Sequence, residues 1–511
     1  MSTIRRIDSK IGREPLFDVA GTRRIEMEAT RDSGPFMLMA RAGDVVARLA
    51  LALVPHARRI VVFAGPGNNG GDGIEAATRL RTMGKGVTVV LHAEPTRLPT
   101  DAAEAFARAN DAGVRFESAS AQHKSDREAP DLLVDALLGV GASRAPETRI
   151  AQAIERIAAF AVAGTHVLAV DVPSGLDSDH GQPFGACVAA ADTISLLTLK
   201  PGLFTAAGRD HAGRVWYDRL GVDVAADHAA AWLVGRGDVH GTGNKRLHAQ
   251  HKGSFGDVAI VGGAPGMAGA AVLAASAAHA AGAGRVFVDL LGDAAAFDPR
   301  RPELMFRKGW WQGPIEALRA STVVCGCGGG DAVTETLARL LSIVPRLVLD
   351  ADALNAIAVN TALQSLLAGR ALRSLQTILT PHPLEAARLL GRAASDVQAD
   401  RLRAAADMAE RFAAVVVLKG SGSIIAAPGE RPCVNSTGNA SLATAGTGDV
   451  LAGWIGGRWR LDASALAVAT RCVIEHGAAA EPEQAGALRA GDLVEALYRQ
   501  SRGAPGNVDR P

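Results

Sequence analysis

The chain has 511 residues, more than one ordinary domain needs, so two or more domains are expected. Its formal net charge of +1 provides no broad basic field for nucleic acid, and its five cysteines show no zinc-binding spacing. The N-terminus lacks an apolar signal segment and no apolar run is long enough to cross a membrane. We therefore expect a cytoplasmic protein without nucleic-acid or membrane partners.

The first half of the chain alternates apolar strand-like runs with helical patterns. One or two amphipathic helices are predicted over residues 21–54. Strands are then predicted at 59–64, 86–92, 131–138 and 166–170, with helices at 74–83, 100–112 and 149–163. This alternation predicts a Rossmann-like, doubly wound parallel sheet whose ligands bind at the carboxyl ends of the strands.

The alternation restarts in the second half. Strands are predicted at 257–262, 285–290, 323–325, 346–349, 377–379 and 414–419, with a small-residue helix at 268–282. The segment Cys325-Gly326-Cys327 is interpreted as two small residues at a tight strand end rather than as a redox pair. We place the domain boundary near residue 235, between predicted domains at 1–230 and 235–511.

A glycine-rich stretch, Gly65–Gly73, follows the first predicted strand of the sheet. It formally matches the GxGxxG dinucleotide fingerprint, and Glu94 stands roughly where a ribose-binding acid belongs. Two features argue against a dehydrogenase: Asp72 would point a carboxylate toward the pyrophosphate, and Asn68-Asn69 replaces small, featureless residues. Amide and carboxylate oxygens suit a hard cation or hydroxyl groups better.

Two later strand ends carry polar side chains that can join this stretch. Asp135 ends one predicted strand, and Asp171 and Ser174 follow the next. Because parallel strands end at one crevice, Asn69, Asp135 and Ser174 can converge as oxygen ligands of a monovalent cation, with Asp171 as an acid/base. Taken singly, each also fits a cap or turn, since Asp and Ser are common helix N-caps.

Together these motifs resemble the N-terminal domain of NAD(P)H-hydrate epimerases, over roughly residues 15–225. The segments that carry the resemblance are 65–73, 135–141 and 171–175, supported by Arg24–Glu26, Leu38–Gly43 and Leu199–Leu203. It implies that the hydrated cofactor is held by Asn68, Asn69, Gly70, Gly71, Asp72, Gly139, Val140, Gly141, Ala142, Ser143, Arg144, Ala145 and Asp171. It also implies potassium at Asn69, Asp135 and Ser174, and catalysis by Asp171.

A second small-residue segment, Ala445–Asp449, precedes a helix. Its backbone N–H groups and the helix dipole suit a transferring phosphoryl group, and Asp449 can accept a proton from an attacking hydroxyl. The segment alone also fits a plain N-cap. The upstream turn Lys419–Ser423, His382 between two prolines, and Asp350 with Asp352 at a strand end favour a nucleotide site.

These segments resemble the ribokinase-like α/β domain of ADP-dependent NAD(P)H-hydrate dehydratases, over roughly residues 240–500. The resemblance implies that Ala270, Gly328, His382 and Asp449 contact the hydrated cofactor, and that Lys419, Gly420, Ser421, Gly422, Ser423 and Gly448 contact the adenine nucleotide. The chain departs from the family at Gly326–Gly330, where GPGLG is usual, at Ala440–Leu442, where Pro-Gly-Met is typical, and at Ala445, which replaces a glycine.

The two resemblances imply a bifunctional repair enzyme. It would epimerise (R)- and (S)-NAD(P)H-hydrate (NADHX and NADPHX) and dehydrate the S epimer at the expense of ADP, giving NAD(P)H, AMP and phosphate. The implied cofactors are K⁺ and Mg²⁺, and a homo-oligomer is the expected assembly. The alternative is a small-molecule kinase of the ribokinase superfamily with a non-catalytic, nucleotide-binding N-terminal module.

Overall fold

A computed structural model of the chain describes residues 3–118, 129–239, 247–292, 298–459, 463–481 and 486–502. The chain forms two compact units. Unit 1 comprises Met1–Asp8 and Glu14–Leu233, and unit 2 comprises Ser9–Arg13 and Val234–Pro511. Within the described ranges, none of the helices is long and apolar enough to span a lipid bilayer.

The first part of the chain, up to residue 234, alternates strands and helices. Its elements are β1 (Arg5–Ile7), β2 (Glu14–Leu16), α1 (Val19–Ser33), α2 (Met37–Leu53), β3 (Arg59–Ala64), α3 (Asn68–Thr82), β4 (Gly86–Leu91), α4 (Thr100–Asp111), β5 (Arg115–Ser118), β6 (Leu132–Ala136), α5 (Thr148–Val162), β7 (His166–Val170), β8 (Asp192–Leu196), α6 (Gly208–His211), β9 (Arg214–Asp218) and β10 (Ala231–Val234). The main sheet has the order β1-β9-β8-β7-β6-β3-β4-β5. Its pairings are parallel apart from β1 with β9.

Strand β3 shows how helices come to cover both faces of this sheet. Ile60 and Val62 point into a core shared with residues of α2 and α3. Val61 and Phe63 point the other way, into a core that includes Ile154 of α5. A strand buried on both faces carries a continuous apolar run, as this one does. The prediction of a doubly wound parallel sheet is confirmed.

Helix α3 begins at Asn68, so the predicted start at residue 74 was wrong. Glycine is a poor helix former, which made the stretch look like a loop. Packing overrides that tendency here. A Cβ on Gly70 would lie 2.1 Å from the Gly65 carbonyl oxygen, and one on Gly73 would lie 2.5 Å from Ala136 Cβ. The glycines therefore let the first turns of the helix approach β3 and β6 closely.

Unit 2 repeats the alternation of strands and helices. Its elements are β11 (Asp257–Gly262), α7 (Ala268–Ala280), β12 (Arg285–Leu290), β13 (Met305–Phe306), α8 (Ile315–Ala320), β14 (Ser321–Cys325), α9 (Thr334–Ile343), β15 (Arg346–Leu349), α10 (Ala351–Ala358), α11 (Thr361–Ala368), β16 (Gln376–Leu379), α12 (Pro383–Leu390), α13 (Ala394–Ala399), α14 (Arg401–Phe412), β17 (Val415–Leu418), β18 (Ile424–Ala426), β19 (Cys433–Asn435), α15 (Thr447–Arg458), α16 (Ala465–Ala480) and α17 (Ala490–Ser501). The strand order is β13-β12-β11-β14-β15-β16-β17-β18-β19. Pairing is parallel from β13 to β17 and antiparallel from β17 to β19.

Small residues position α15 in unit 2. A Cβ on Gly453 would lie 2.0 Å from the Ala274 carbonyl oxygen of α7, and one on Gly456 would lie 2.4 Å from Val324 Cγ2 of β14. Close approach of this kind requires glycine. Helix α15, whose first turn contains Asp449, is thereby packed tightly against both α7 and the sheet.

Candidate active sites

A cavity of about 670 Å³ opens in unit 1 at the carboxyl ends of β3, β6, β7 and β8. The predicted cofactor contacts that line it are Asn68, Asn69, Asp72, Gly139, Val140, Gly141, Ala142, Ser143, Arg144, Ala145 and Asp171. Gly70 and Gly71 are not among the residues that line the cavity. A Cβ on Gly71 would lie 2.5 Å from Met39 Cε, so both glycines serve the packing of α3.

Asp171 is held in this cavity by its backbone and by a buried lysine. Its φ of 66° is in the left-handed region, which non-glycine residues seldom adopt and which is concentrated at functional sites. The Asp171 carboxylate accepts a hydrogen bond from Leu196 N at 3.0 Å and pairs with Lys200 Nζ. Lys200 is 1% exposed, and it also donates to the carbonyl oxygens of Leu196 and Thr198 at 2.8 and 2.9 Å. Oδ1 of Asp171 is thus fixed from two sides.

Asp135, Ser174 and Asn69 meet around the backbone of Leu138, as the sequence predicted for a cation site. Asp135 accepts from Ser174 N at 2.9 Å and from Ser174 Oγ at 2.6 Å. Leu138 N donates to Ser174 Oγ at 2.9 Å, and Asn69 Nδ2 donates to Leu138 O at 3.0 Å. Asp135, Ser174, Asn69 and the Leu138 backbone, which come from three strand ends, therefore belong to one hydrogen-bonded network.

The chemistry of this donor set fits a monovalent cation. Asp135 is fully buried, and burial raises its pKa to about 6 although Ser174 donates two hydrogen bonds to it. In the described part of the chain, the hydrogen bonds recorded for this carboxylate come from neutral groups, namely Ser174 and Leu137 N. A buried carboxylate with neutral donors is costly unless a cation compensates it. Asn69, Asp135 and Ser174 are therefore suited to hold potassium.

Two further carboxyl groups face the same cavity. Burial, together with the Asp171 carboxylate, raises the pKa of Asp72 well above its ordinary value. Burial and Asp171 likewise raise the pKa of Glu26. The cavity therefore combines an ion-paired aspartate with two carboxyl groups whose pKa is raised, an arrangement suited to acid/base chemistry.

In unit 2, buried polar groups collect at the ends of β14 and β15. Lys419 Nζ lies 2.7 Å from Asp350 Oδ1, and Cys327 Sγ lies 4.0 Å from Asp350 Oδ2. The ligand atoms of Cys327, Asp350 and Asp449 all lie within 4.8 Å of one another. Although burial opposes it, the carboxylates of Asp350 and Glu385 raise the pKa of Lys419. The lysine therefore stays charged at neutral pH.

Asp449 lies in the first turn of α15, after Gly446 with its φ of 90°. Burial and the nearby Asp350 carboxylate raise the pKa of Asp449 to about 6. A Cβ on Gly448 would lie 3.3 Å from Lys419 Nζ, so the ammonium group sits against the start of the helix. A helix N-terminus next to a lysine is suited to bind an anion, and the carboxyl group of Asp449 lies beside it.

His382 caps helix α12 through its ring. Its Nδ1 accepts hydrogen bonds from Leu384 N and Glu385 N, both at 3.1 Å. Since Nδ1 is an acceptor, the proton of the neutral ring is on Nε2, which lies 3.4 Å from Glu385 Oε1. Lys419 N donates to the Pro381 carbonyl at 2.9 Å, so the histidine turn and the lysine belong to one neighbourhood.

The remaining predicted contacts fall in two places. Gly328, with φ of 59°, would bring a Cβ within 2.9 Å of Ala270 Cβ, so these two residues are neighbours. The predicted nucleotide residues Gly420, Ser421, Gly422 and Ser423 form the turn of the β17–β18 hairpin. Ser423 Oγ donates to the Gly420 carbonyl at 3.1 Å within that turn. The side chain of Lys419 therefore lies next to Gly448, and its backbone leads directly into the hairpin turn.

Sequence reasoning missed three participants. Lys200 was quoted only as part of a resemblance, and its ion pair with Asp171 was not predicted. Asp350 was predicted only as an acidic residue at a strand end, and its ion pair with Lys419 was not predicted. Cys327 was interpreted as a small residue, and its contact with two carboxylates joins segments far apart in the chain.

Comparisons with known proteins show the family to which the chain belongs. A family described as YjeF-related protein N-terminus matches residues 35–202, and a family described as NAD(P)H-hydrate dehydratase matches residues 258–499. A bifunctional NAD(P)H-hydrate repair enzyme of Escherichia coli K12 is 35% identical over 480 residues, covering 90% of this chain and 88% of that protein. Its counterpart from Coxiella burnetii is 36% identical, covering 87% of this chain and 90% of that protein.

A solved structure also resembles part of the chain. The ADP/ATP-dependent NAD(P)H-hydrate dehydratase of Bacillus subtilis, co-crystallised with ATP and Mg²⁺, is 29% identical. The match covers 50% of this chain and 92% of that one, with a TM-score of 0.42. The relatives of nearly full length confirm the family resemblance that the motifs indicated.

Proposed function

Because this chain belongs to the family of bifunctional NAD(P)H-hydrate repair enzymes, we propose that its two units divide the repair between them. Unit 1 interconverts the R and S epimers of hydrated NADH and NADPH. Unit 2 dehydrates the S epimer at the expense of ADP. Each activity rests on a site built wholly within its own unit, and the product of the first is the substrate of the second.

Epimerisation inverts the carbon that carries the added hydroxyl, C6 of the reduced nicotinamide ring. The C6–O bond breaks as a carboxyl group donates a proton and the hydroxyl leaves as water. The pKa shifts of Asp72 and Glu26 support these two as donors. Water then adds to the other face of the ring and loses its proton to Asp171, and the net proton returns through solvent. The observation that best supports this assignment is that Asp171, with its backbone in the left-handed region, pairs with Lys200 in the cavity.

Potassium would be held by Asn69, Asp135 and Ser174. When bound, it supplies positive charge behind the wall formed by Leu138 and Gly139. Asp135 and Ser174 anchor the start of that wall through the hydrogen bond from Leu138 N to Ser174 Oγ. The segment Gly139–Ala145 then lines the cofactor, and Arg23 and Arg144 on the cavity rim offer positive charge to its phosphates.

Dehydration in unit 2 uses the same hydroxyl differently. Asp449 accepts the hydroxyl proton, and the oxygen attacks the terminal phosphorus of ADP, whose P–O bond to AMP breaks. The C6–O bond then breaks with phosphate as the leaving group, and a proton lost from C5 restores the C5=C6 double bond. Lys419 and the first amides of α15 stabilise the charge on the transferred phosphoryl group. The observation that best supports this assignment is that Asp449, Lys419 and Gly448 lie together at one helix N-terminus.

Magnesium fits the charge balance of this site. Asp350, Asp449 and Glu385 supply three carboxyl groups near the single ammonium group of Lys419. Mg²⁺ that arrives with a nucleotide is bound mainly by phosphate and carboxylate oxygens, and it neutralises phosphate charge. His382, which caps α12, would contact the hydrated cofactor.

The test follows recovery of absorbance at the reduced-nicotinamide band, starting from a mixture of both epimers of NADPH hydrate. The full chain is assayed with ADP, with ATP and without nucleotide, in potassium and then in sodium. Complete recovery with ADP supports both activities. Recovery that slows once the S epimer is spent would refute the epimerase assignment of unit 1. A stable phosphorylated product without recovery would favour the kinase alternative.

A further inference from the structure

The loop after β14 carries a thiol, Cys327, close to the carboxylate that follows β15. Cys327 is fully buried, and its sulfur lies 4.0 Å from Asp350 Oδ2. Together with Asp449 it forms what we call the thiol–carboxylate cluster, defined by Cys327 Sγ and the carboxylates of Asp350 and Asp449, whose ligand atoms lie within 4.8 Å of one another. The three residues come from the end of β14, the end of β15 and the start of α15.

We propose that the thiol–carboxylate cluster is a binding site for a thiophilic divalent cation of the Zn²⁺ and Cd²⁺ class, and that its occupation stops dehydration by capturing Asp449. The binding part of this proposal is independent of the proposed function. The inhibition part rests on it, because Asp449 is the proton acceptor only in the dehydratase mechanism.

The donor atoms are those that this class of metal prefers. Zinc binds thiolate sulfur at about 2.3 Å and carboxylate oxygen at about 2.0–2.2 Å, usually with tetrahedral geometry. Such a site separates neighbouring ligand atoms by about 3.5 Å, so the cluster has to close by about an ångström. On binding, the Cys327 S–H bond breaks, its proton passes to solvent, and the sulfur lone pair binds the metal. Mg²⁺ prefers oxygen and gains nothing from the thiol.

The two carboxylate oxygens of Asp350 have different partners. Oδ1 pairs with Lys419 Nζ at 2.7 Å, whereas Oδ2 faces the Cys327 sulfur. The lysine therefore does not use the oxygen that would bind the metal. Asp449 is partly exposed, whereas Cys327 and Asp350 are buried, so a cation enters from the Asp449 side. Two ionised carboxylates and one thiolate compensate the divalent charge next to the ammonium group.

The first test titrates Cd²⁺ into the full chain and follows the ultraviolet cadmium–thiolate charge-transfer band. We expect one equivalent to saturate the band in the wild-type protein and in two control variants, Cys325→Ala and Cys187→Ala. Cys325 is the matched control because it is equally buried, only two positions away, and its sulfur faces Thr336 Oγ1. Cys187 is the control for an adventitious site because it is the most exposed of the five thiols.

Cys327→Ser should abolish the band, and Asp350→Asn should weaken Cd²⁺ binding by more than about tenfold, because removal of a direct ligand costs at least what loss of a supporting group costs. Thermal melting checks that both variants are folded. A wild-type protein without the band, or a band that persists in Cys327→Ser, would overturn the proposed site.

The second test adds Cd²⁺ to the repair assay. Stoichiometric Cd²⁺ should stop dehydration and leave epimerisation unchanged, and a chelator should restore the rate. Dehydration that continues while the charge-transfer band is saturated would refute the capture of Asp449 and leave the metal site standing. If the protein shows no repair activity at all, the proposed function fails, and the spectroscopic titration still decides the metal site.

Discussion

Both units place a buried lysine next to an aspartate at the carboxyl ends of a parallel sheet, but they connect it to the reaction differently. In unit 1, Lys200 contacts Asp171, the proposed catalytic residue itself. In unit 2, Lys419 contacts Asp350 and lies against Gly448, while the proposed base, Asp449, has no ammonium partner among its described contacts. The same pair of residue types therefore fixes the reacting carboxylate in one unit and prepares an anion site in the other.

The difference matches the two reactions. Epimerisation moves protons and water, so a lysine that immobilises one carboxylate suffices. Phosphoryl transfer adds negative charge, and there a lysine close to a helix N-terminus stabilises the anion while a separate carboxyl group with a raised pKa accepts the proton. A buried Asp–Lys pair at a strand end consequently does not identify the catalytic aspartate.

The largest expected effect separates the two units outright. Asp449→Asn removes the proton acceptor and should lower the rate of dehydration by about 10²–10⁴-fold, the usual contribution of a general base. Epimerisation, followed chromatographically as interconversion of the R and S forms, should be unchanged. The control is Asp331→Asn, which removes an exposed carboxylate from the same unit. Loss of both activities in Asp449→Asn would contradict the separation of the two sites.

The second effect concerns the lysine that holds Asp171. Lys200→Met leaves Asp171 without its cation and the carbonyls of Leu196 and Thr198 without a donor. Breaking a buried pair in this way typically costs about 3–5 kcal/mol, so unit 1 should melt at a lower temperature. Lys200→Arg should restore stability only in part, because its fork does not match these three acceptors.

Lys200 acts on the reaction by positioning Asp171, so Lys200→Met should lower the kcat for epimerisation more than it raises KM. Dehydration of the pure S epimer should be unchanged and serves as the internal control. An epimerisation rate equal to that of the wild-type protein would show that Asp171 needs no lysine, and the comparison between the units would lose its basis.

The sequence predicted the sheets far better than the pairings. The strands at Arg59–Ala64, His166–Val170, Asp257–Gly262, Arg285–Leu290 and Arg346–Leu349 have the predicted bounds, because each is a continuous apolar run. Short or more polar strands such as β5 and β13 were not predicted, because their residues carry no such run. The segment Ser9–Arg13, which packs with unit 2 although it lies near the N-terminus, carries no local signal of that placement.

The sites were predictable to a similar depth. Strand ends and turns predicted that Asp135 and Ser174 lie together and that Asp449 lies at a helix start, because parallel strands end at a common edge. The contacts that decide their chemistry are not local. Lys419 meets Asp350 across 69 positions, and Asp135 meets Ser174 across 39. Periodicity identifies the elements, and only the packed structure shows which side chains meet.

A third prediction uses the raised pKa of Asp449. The base acts when ionised, so the rate of dehydration should fall as pH drops through about 6, the value to which burial and Asp350 raise this pKa. At pH 5 the rate should be about tenfold below its plateau, as expected for one ionisation. The measurement is initial absorbance recovery from pure S epimer at saturating ADP. A rate that stays flat from pH 5 to pH 7 would exclude Asp449 as the base.

The smallest expected effect is stabilisation by a bound cation. It tests whether Asp135 in unit 1 binds a cation, whereas Asp350 in unit 2 pairs with Lys419. The buried Asp135 carboxylate has no ammonium partner among its recorded contacts, so potassium should stabilise unit 1 and not unit 2. A ligand at 100 times its dissociation constant adds about 2.7 kcal/mol, which in a unit of this size raises the melting temperature by several degrees. Calorimetry in potassium and in tetramethylammonium, a cation too large for the site, measures the difference.

Asp135→Asn should abolish this potassium increment, because the variant lacks the charge that attracts the cation. Asp131→Asn is the matched control: Asp131 precedes the same strand at its opposite end, where it accepts hydrogen bonds from Arg58 N and Arg59 N at 2.8 and 2.9 Å. That variant should melt earlier in every buffer yet keep the increment. If Asp135→Asn retains it, potassium binds elsewhere, and the buried carboxylate is stabilised by Ser174 and Leu137 N. In that event, the two units would differ only in the placement of their lysines.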